Sequence, residues 1–194
     1  MSEINPNSIL IYTESTPNPA TMKFVSNKML LPNFSVDFSD ENEAKESPLA
    51  SELFGFPFVR GVFISNNFVT VAKAEATGWY DVIPSMRSFL QAYIAHEKKI
   101  VSDQLLAKLK ADQPVFEGTD EQQIIDVLDK YIKPAVQMDG GAIQFKSVED
   151  GVVTVQLQGA CSGCPSSTLT LKSGIEAMLK RMIPGIKEVV AEAI

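Results

Sequence analysis

Residues 152–179 read VVTVQLQGACSGCPSSTLTLKSGIEAML and hold the only two cysteines of a 194-residue chain, Cys161 and Cys164. Ahead of them Val153, Val155 and Leu157 alternate with polar residues, the period of a strand that buries one face. Behind them Leu171, Ile175, Met178, Leu179 and Met182 recur at three and four, the period of an amphipathic helix. Pro165 suits the first helical position, so the two thiols fall in the turn where a strand hands over to a helix.

Working outward, AIQFKSV (142–148) is a second strand with Ile143 and Phe145 on one face, and the intervening EDG is a turn. The two strands should form a hairpin with one side on a core. Upstream, Thr119 and Gln122 fit a capping box, and Ile124, Ile125, Leu128, Tyr131 and Ile132 form an apolar stripe that runs to Pro134. Downstream, IPG (183–185) stops the helix and IKEVVAEAI offers a last strand. Residues 119–194 therefore read as an α-β-β-α-β domain.

Residues 1–97 follow a different pattern. ILIYTES (9–15) and MKFVSN (22–27) are β-rich and separated by a turn around Pro17, Asn18 and Pro19. SPLASELFGF starts a helix, with Ser47 as cap and Pro48 at its first position, whereas residues 33–47 are polar and acidic. VRGVFISNNFVTVAK is a hairpin around Asn66-Asn67, since Asn tolerates positive φ. A helix follows in DVIPSMRSFLQAYIAHEKKI, with Ile83, Met86, Leu90 and Ile94 on one stripe and Pro84 in its first turn. The expectation is α+β overall: a mostly antiparallel N-terminal domain, a linker over 98–118 in which SDQLLAKLKA can form a short helix, and the C-terminal domain.

Composition narrows the function classes. A net charge of -7 lacks the basic surface that sequence-independent nucleic-acid or anionic-membrane binding needs. No run approaches the ~18 apolar residues of a membrane span, and MSEINPNSIL has no basic or Arg-rich leader pattern. Together these predict a cytoplasmic protein with protein partners, no nucleic acid and no membrane. In a reducing compartment a CxxC binds metal or exchanges electrons rather than stapling the fold, and a disulfide closing so short a loop constrains little.

At a helix N-terminus, unpaired backbone N–H groups and the positive end of the macrodipole favour an anion. A thiol with a pKa of ~8.5 is mostly protonated at neutral pH, and the expectation is that this setting favours the thiolate. Gly159 and Gly163 would let backbone approach sulfur, and Ser162, Ser166, Ser167 and Thr168 supply hydroxyls that also suit caps and turns. Two sulfurs are half of a four-thiolate site. The only histidine, His96, lies in the other domain beside a charged run and reads as a surface residue. A four-thiolate centre would need a second chain, which a two-fold dimer supplies. The residues alone leave metal or cluster binding, dithiol redox chemistry and no chemistry all open. Asp139-Gly140-Gly141 reads as a tight turn into a strand ahead of a metal or phosphate role, and Phe54, Phe56, Phe58 and Trp79 as core ahead of an exposed docking patch.

MDGGAIQF, VVTVQLQGACSGCPSSTLTLKSGIEAMLK and PGIKEVV resemble the C-terminal domain of NifU, the module shared by the Nfu iron–sulfur cluster scaffold and carrier proteins. YTESTPNPATMKF, SPLASELF and VRGVFISNNFVTVAK resemble the Nfu N-terminal domain, in the same order. The resemblance implies that Cys161 and Cys164 are the ligands of a [4Fe–4S] cluster, with [2Fe–2S] as the alternative, bridged between two protomers. It further implies a protein that is not an enzyme: an upstream donor supplies the cluster, a homodimer holds it, and apo iron–sulfur proteins receive it. The competing expectations are a dithiol redox protein and an interaction module sharing a structural zinc across a dimer.

Overall fold

The computed structural model describes residues 9–112, 119–162 and 165–193, with the side chains at 119, 165–168 and 193 outside that description. The fold is α+β, and the chain divides into two compact units with the main break between Asp112 and Gln113.

In the first unit, five antiparallel strands form one sheet: β1 (Ile11–Ser15), β2 (Thr21–Ser26), β3 (Leu31–Phe38), β4 (Val59–Asn66) and β5 (Phe68–Lys73), in the order β1-β2-β5-β4-β3. The Asn66-Asn67 hairpin forms as expected, with Asn66 at φ 42° and Ser65 opposite Phe68. The two asparagines also tie the hairpin to its surroundings. Asn66 Oδ1 accepts from the Asn33 N–H at 3.2 Å, and Asn67 Nδ2 donates to the Ser26 carbonyl at 3.0 Å. Helix α1 (Pro48–Phe54) is capped by Ser47, whose buried hydroxyl accepts from the Ala50 N–H at 3.1 Å and donates to the Ile100 carbonyl at 2.7 Å.

Two features of this unit differ from the sequence reading. Residues 31–38, which overlap the stretch 33–47 read only as polar and acidic, are strand β3. Pro32 and Asn33 (φ 66°) interrupt its start, and the register shifts between Leu31 and Ser35, so only Val36 and Phe38 show the alternation of a strand. Helix α2 (Trp79–Ala95) starts ahead of the expected Asp81, which puts Pro84 inside it rather than in its first turn. The short helix expected in SDQLLAKLKA forms as α3 (Asp103–Ala111), which lays Leu105, Leu106 and Leu109 against the first core, where Val101 is buried. Ser102 caps α3 by accepting from the Leu105 N–H at 3.0 Å.

The second unit runs α4 (Thr119–Val127), a π-helical turn (Leu128–Ile132), α5 (Lys133–Met138), β6 (Gly141–Glu149), β7 (Val152–Gly159), α6 (Pro165–Met182) and β8 (Glu188–Ala193). This is the expected α-β-β-α-β order. Strand β7 is central, antiparallel to β6 and parallel to β8. Ile143, Val153, Val155 and Leu157 on the sheet meet Ile124, Leu128, Ile175 and Leu179 from the helices in one core. The apolar stripe does not end at Pro134. That residue has no N–H to donate back one turn, and the helix widens just before it and then continues to Met138. The Thr119 side chain of the expected capping box lies outside the described residues; Gln122 Nε2 donates to Asp126 at 2.8 Å. No helix among the described residues is long and apolar enough to cross a membrane.

The β6–β7 turn is a two-residue hairpin in which Asp150 (φ 50°) and Gly151 (φ 82°) both occupy the left-handed region. The Gly151 carbonyl accepts from the Lys187 N–H at 2.7 Å, joining the hairpin turn to the approach of β8. A Cβ on Gly151 would lie 2.3 Å from the Gly185 carbonyl oxygen, while a Cβ on Gly174 in α6 would meet nothing within 4 Å. Gly151→Ala is therefore expected to cost about 1–3 kcal/mol. Gly174→Ala should raise stability by up to about 1 kcal/mol. Urea denaturation followed by far-ultraviolet circular dichroism separates the two by the sign of the midpoint shift.

Candidate functional site

Strand β7 carries the chain to the cysteine turn, and the turn is anchored from beneath by the segment that follows α5. Helix α5 ends at Met138. Asp139 caps it by donating its backbone N–H to the Ala135 carbonyl, and Gly140 takes φ 80° to reverse the chain into β6. Gly141 then stands opposite Gly159 in the β6–β7 register, and the Ala160 N–H donates to the Gly140 carbonyl at 3.3 Å. Gly159 turns the chain at φ 67°. Its carbonyl accepts from both the backbone N–H (3.1 Å) and the hydroxyl (2.9 Å) of Ser162.

The Cys161 side chain does not stand out from this turn. It is 5% exposed and belongs to the second core, with Leu157, Ile175 and Val136. It fits because Gly141 has no side chain. A Cβ there would lie 2.8 Å from Cys161 Sγ, 3.2 Å from its Cβ and 2.6 Å from the Gln158 carbonyl oxygen. The socket is thus made of backbone, a use of glycine that needs neither a turn nor a positive φ.

Electrostatics at Cys161 run against the expectation of a stabilised thiolate. Burial pushes the thiol up to about 11, and the nearby Asp139 carboxylate adds to the effect. The helix-terminus argument concerned groups at the N-terminus of α6. Cys161 precedes that helix and lies in the core, where loss of hydration outweighs the dipole. A buried, protonated first cysteine is poorly suited to attacking a disulfide, whereas metal coordination displaces the thiol proton directly.

Cys164 and Gly163 lie outside the described residues, as do the side chains of Ser166, Ser167 and Thr168. His96 is exposed at the end of α2, and its Nδ1 is 2.6 Å from the Ala92 carbonyl of its own helix, a local contact. Among the described residues no group of three His, Cys, Asp or Glu side chains could hold a metal ion. The aromatic residues read as core are packed but not sealed. Phe54, Phe56, Phe58 and Trp79 lie partly buried against the first core, Phe56 meets Phe58 and Phe89 at 5.6 and 5.4 Å, and Trp79 Nε1 donates to the Pro19 carbonyl at 3.0 Å.

Gly141 and Asp139 are the site residues that the sequence reading did not assign. DGG was visible as a turn, and Gly140 bears that out. The second glycine has a separate task that depends on a residue twenty positions along the chain, which no local pattern reveals.

Residues 124–190 match the family described as NifU-like domain, and residues 11–97 the one described as Scaffold protein Nfu/NifU N terminal. Over 192 residues the chain is 38% identical to the mitochondrial NFU1 iron–sulfur cluster scaffold homologue of Drosophila persimilis and 36% identical to that of Drosophila virilis. These alignments cover 97% of this chain but 67% and 63% of those proteins, so the chain spans about two thirds of the relatives it matches. The solution structure of a NifU-like protein from Saccharomyces cerevisiae is also similar, at 28% identity and a TM-score of 0.44, covering 53% of this chain and 93% of that one. The relatives are named as mitochondrial, which overturns the cytoplasmic setting expected from the sequence. Cysteine usage reports a reducing environment and not which reducing compartment.

Filling the socket should be costly even with a methyl group. Gly141→Ala is expected to lower stability by about 1–3 kcal/mol. It should also raise the rate at which Cys161 is alkylated in the native protein, in a Cys164→Ser background, because the added carbon displaces sulfur from the core. An unchanged alkylation rate would contradict the socket.

Proposed function

This chain belongs to the Nfu family of iron–sulfur cluster scaffold proteins, and from that membership we propose that it holds a [4Fe–4S] cluster as cargo and passes it to apo iron–sulfur proteins. Cys161 and Cys164 supply two ligands, and the same pair from a second copy supplies the other two. We assign this task to residues 119–194. Recognition of donor or recipient proteins is assigned to residues 1–97, which residues 98–118 join to the cluster-binding part.

The ligand count carries the reading. The chain has two cysteines in all, and the described residues bring together no other set of metal-ligating side chains. Two thiolates satisfy half of a four-thiolate cluster, so the site is complete only when two chains share it. A shared site is also an exchangeable one, since each protomer contributes only part of the binding.

Delivery is ligand exchange without catalysis or change of oxidation state. In each step one bond forms between cluster iron and a recipient cysteine sulfur while one bond to Cys161 or Cys164 breaks. The proton lost by the incoming thiol is taken up by the departing thiolate. For Cys161 the core enforces that second half, because a bare thiolate left among Leu157, Ile175 and Val136 would be poorly solvated.

Anaerobic reconstitution with iron and sulfide tests the proposal. The expected product is a brown dimer with one four-iron cluster per two chains by Mössbauer spectroscopy and metal analysis. Cys161→Ala and Cys164→Ala should each lose both colour and dimer, and retention of both in either variant would refute the ligand assignment. One zinc per dimer that iron and sulfide cannot replace would favour the structural-zinc reading. Turnover of a disulfide substrate would favour the redox one.

A further inference from the structure

Asp139 is a carboxylate placed against its local preferences. It follows the last residue of α5, where the backbone carbonyls make the negative end of the helix and a cation is the favoured side chain. Asp103, Asp129 and Glu176 each pair with a lysine four residues away along the chain. The exposed Asp139 carboxylate has no such partner, and among the described residues it makes no hydrogen bond either. The group it does act on is Cys161, whose ionised form it disfavours. The fold accounts for that proximity. Gly140 reverses the chain directly after Asp139, and Gly141 is the backbone wall against which the Cys161 sulfur packs. An unneutralised negative charge thus stands beside the first thiol, and neither the helix nor a thiolate gains from it.

We propose that Asp139 sets how readily the cluster leaves: its carboxylate weakens the hold of Cys161 on iron by charge repulsion and so makes the cargo transferable. The inference rests on the reading that Cys161 is a ligand of a shared cluster, and it adds a residue that governs release. A cluster held by four thiolates is an anion, and a fixed carboxylate raises the free energy of that anion as it does that of a bare thiolate. When a recipient thiol attacks, a bond forms between its sulfur and iron while the bond from iron to Cys161 breaks. The proton passes from the incoming thiol to the Cys161 sulfur. The carboxylate favours this direction, because it repels the ligated, negative state and is indifferent to the neutral thiol left behind. A cluster that has moved to the recipient escapes the repulsion, which falls off with distance. Asp139 acts through Cys161 and requires no contact with the cluster.

The test compares the full chain with Asp139→Asn, Asp139→Glu and, as a charge control, Glu149→Gln, which lies roughly 26 Å along β6 from Gly141. In the empty protein, alkylation of Cys161 by iodoacetamide at neutral pH is measured in a Cys164→Ser background. In the protein reconstituted with iron and sulfide, the fall in visible absorbance on adding excess dithiothreitol measures release of the cluster to a competing thiol. Asp139→Asn is expected to be alkylated about three to ten times faster and to release its cluster more slowly by a similar factor. Both differences should shrink in about 1 M salt, Asp139→Glu should stay close to the native protein, and Glu149→Gln should match it. The opposite directions separate charge from packing. A substitution that merely loosened the turn would speed alkylation and release together with no response to salt, and that result refutes the role of Asp139. Unchanged alkylation or unchanged release in Asp139→Asn refutes it as well. A native chain that loads no cluster defeats the cluster-holding reading itself. One that loads a cluster and releases it independently of residue 139 defeats only this inference.

Discussion

The close approach of the Cys161 side chain to the backbone of Gly141 is the contact on which the geometry of the site depends. It requires β6 and β7 to be in register to their ends, with Gly141 opposite Gly159, and it requires α5 to end where it does. Those conditions rest on the core beneath, where Ile143, Val155 and Leu157 from the sheet meet Ile124, Leu128 and Ile175 from the helices. The first thiol is therefore positioned by the core of the unit, although it sits in a turn. Its sulfur is at once a core atom and a candidate ligand.

That double role bears on its chemistry. A thiol in the core is protected from oxidants and from stray metals, because reaching it means displacing packed side chains. The same burial makes the ionised form costly until a metal is there to accept it. Under the proposed ligation, the first thiol stays protonated in the empty form and ionises only when iron is there to bind it.

Much of this was legible in the sequence because strands and helices with one buried face write their period directly. Val153, Val155 and Leu157, then Leu171, Ile175 and Leu179, placed the cysteine turn between a strand and a helix. Asp150-Gly151 and Asn66-Asn67 placed both hairpins. Less legible were features set by partners distant in the chain. Strand β3 is an irregular edge strand that owes its place to β4, and most of it falls in the stretch 33–47 whose polar, acidic composition gave no strand period. Pro134 looked like a helix end, yet the buried Ile132 and Val136 on either side hold the helix to the core and make a widened turn the better solution. The cysteine environment was misjudged for a related reason. Helix-dipole reasoning uses only sequence neighbours, and the decisive influences on Cys161 are burial and Asp139, which come from folding.

The position of β8 has a consequence for the order in which this unit can be completed. Strand β7 is the middle of three, and its second edge is covered only when residues 188–193 align beside it. During synthesis the hairpin and both cysteines leave the ribosome before that strand does. Until it arrives, β7 presents an open row of backbone donors and acceptors next to the thiols, an edge able to pair with the wrong neighbour. The last strand thus closes the sheet against mispairing at the stage when the nascent site is most vulnerable.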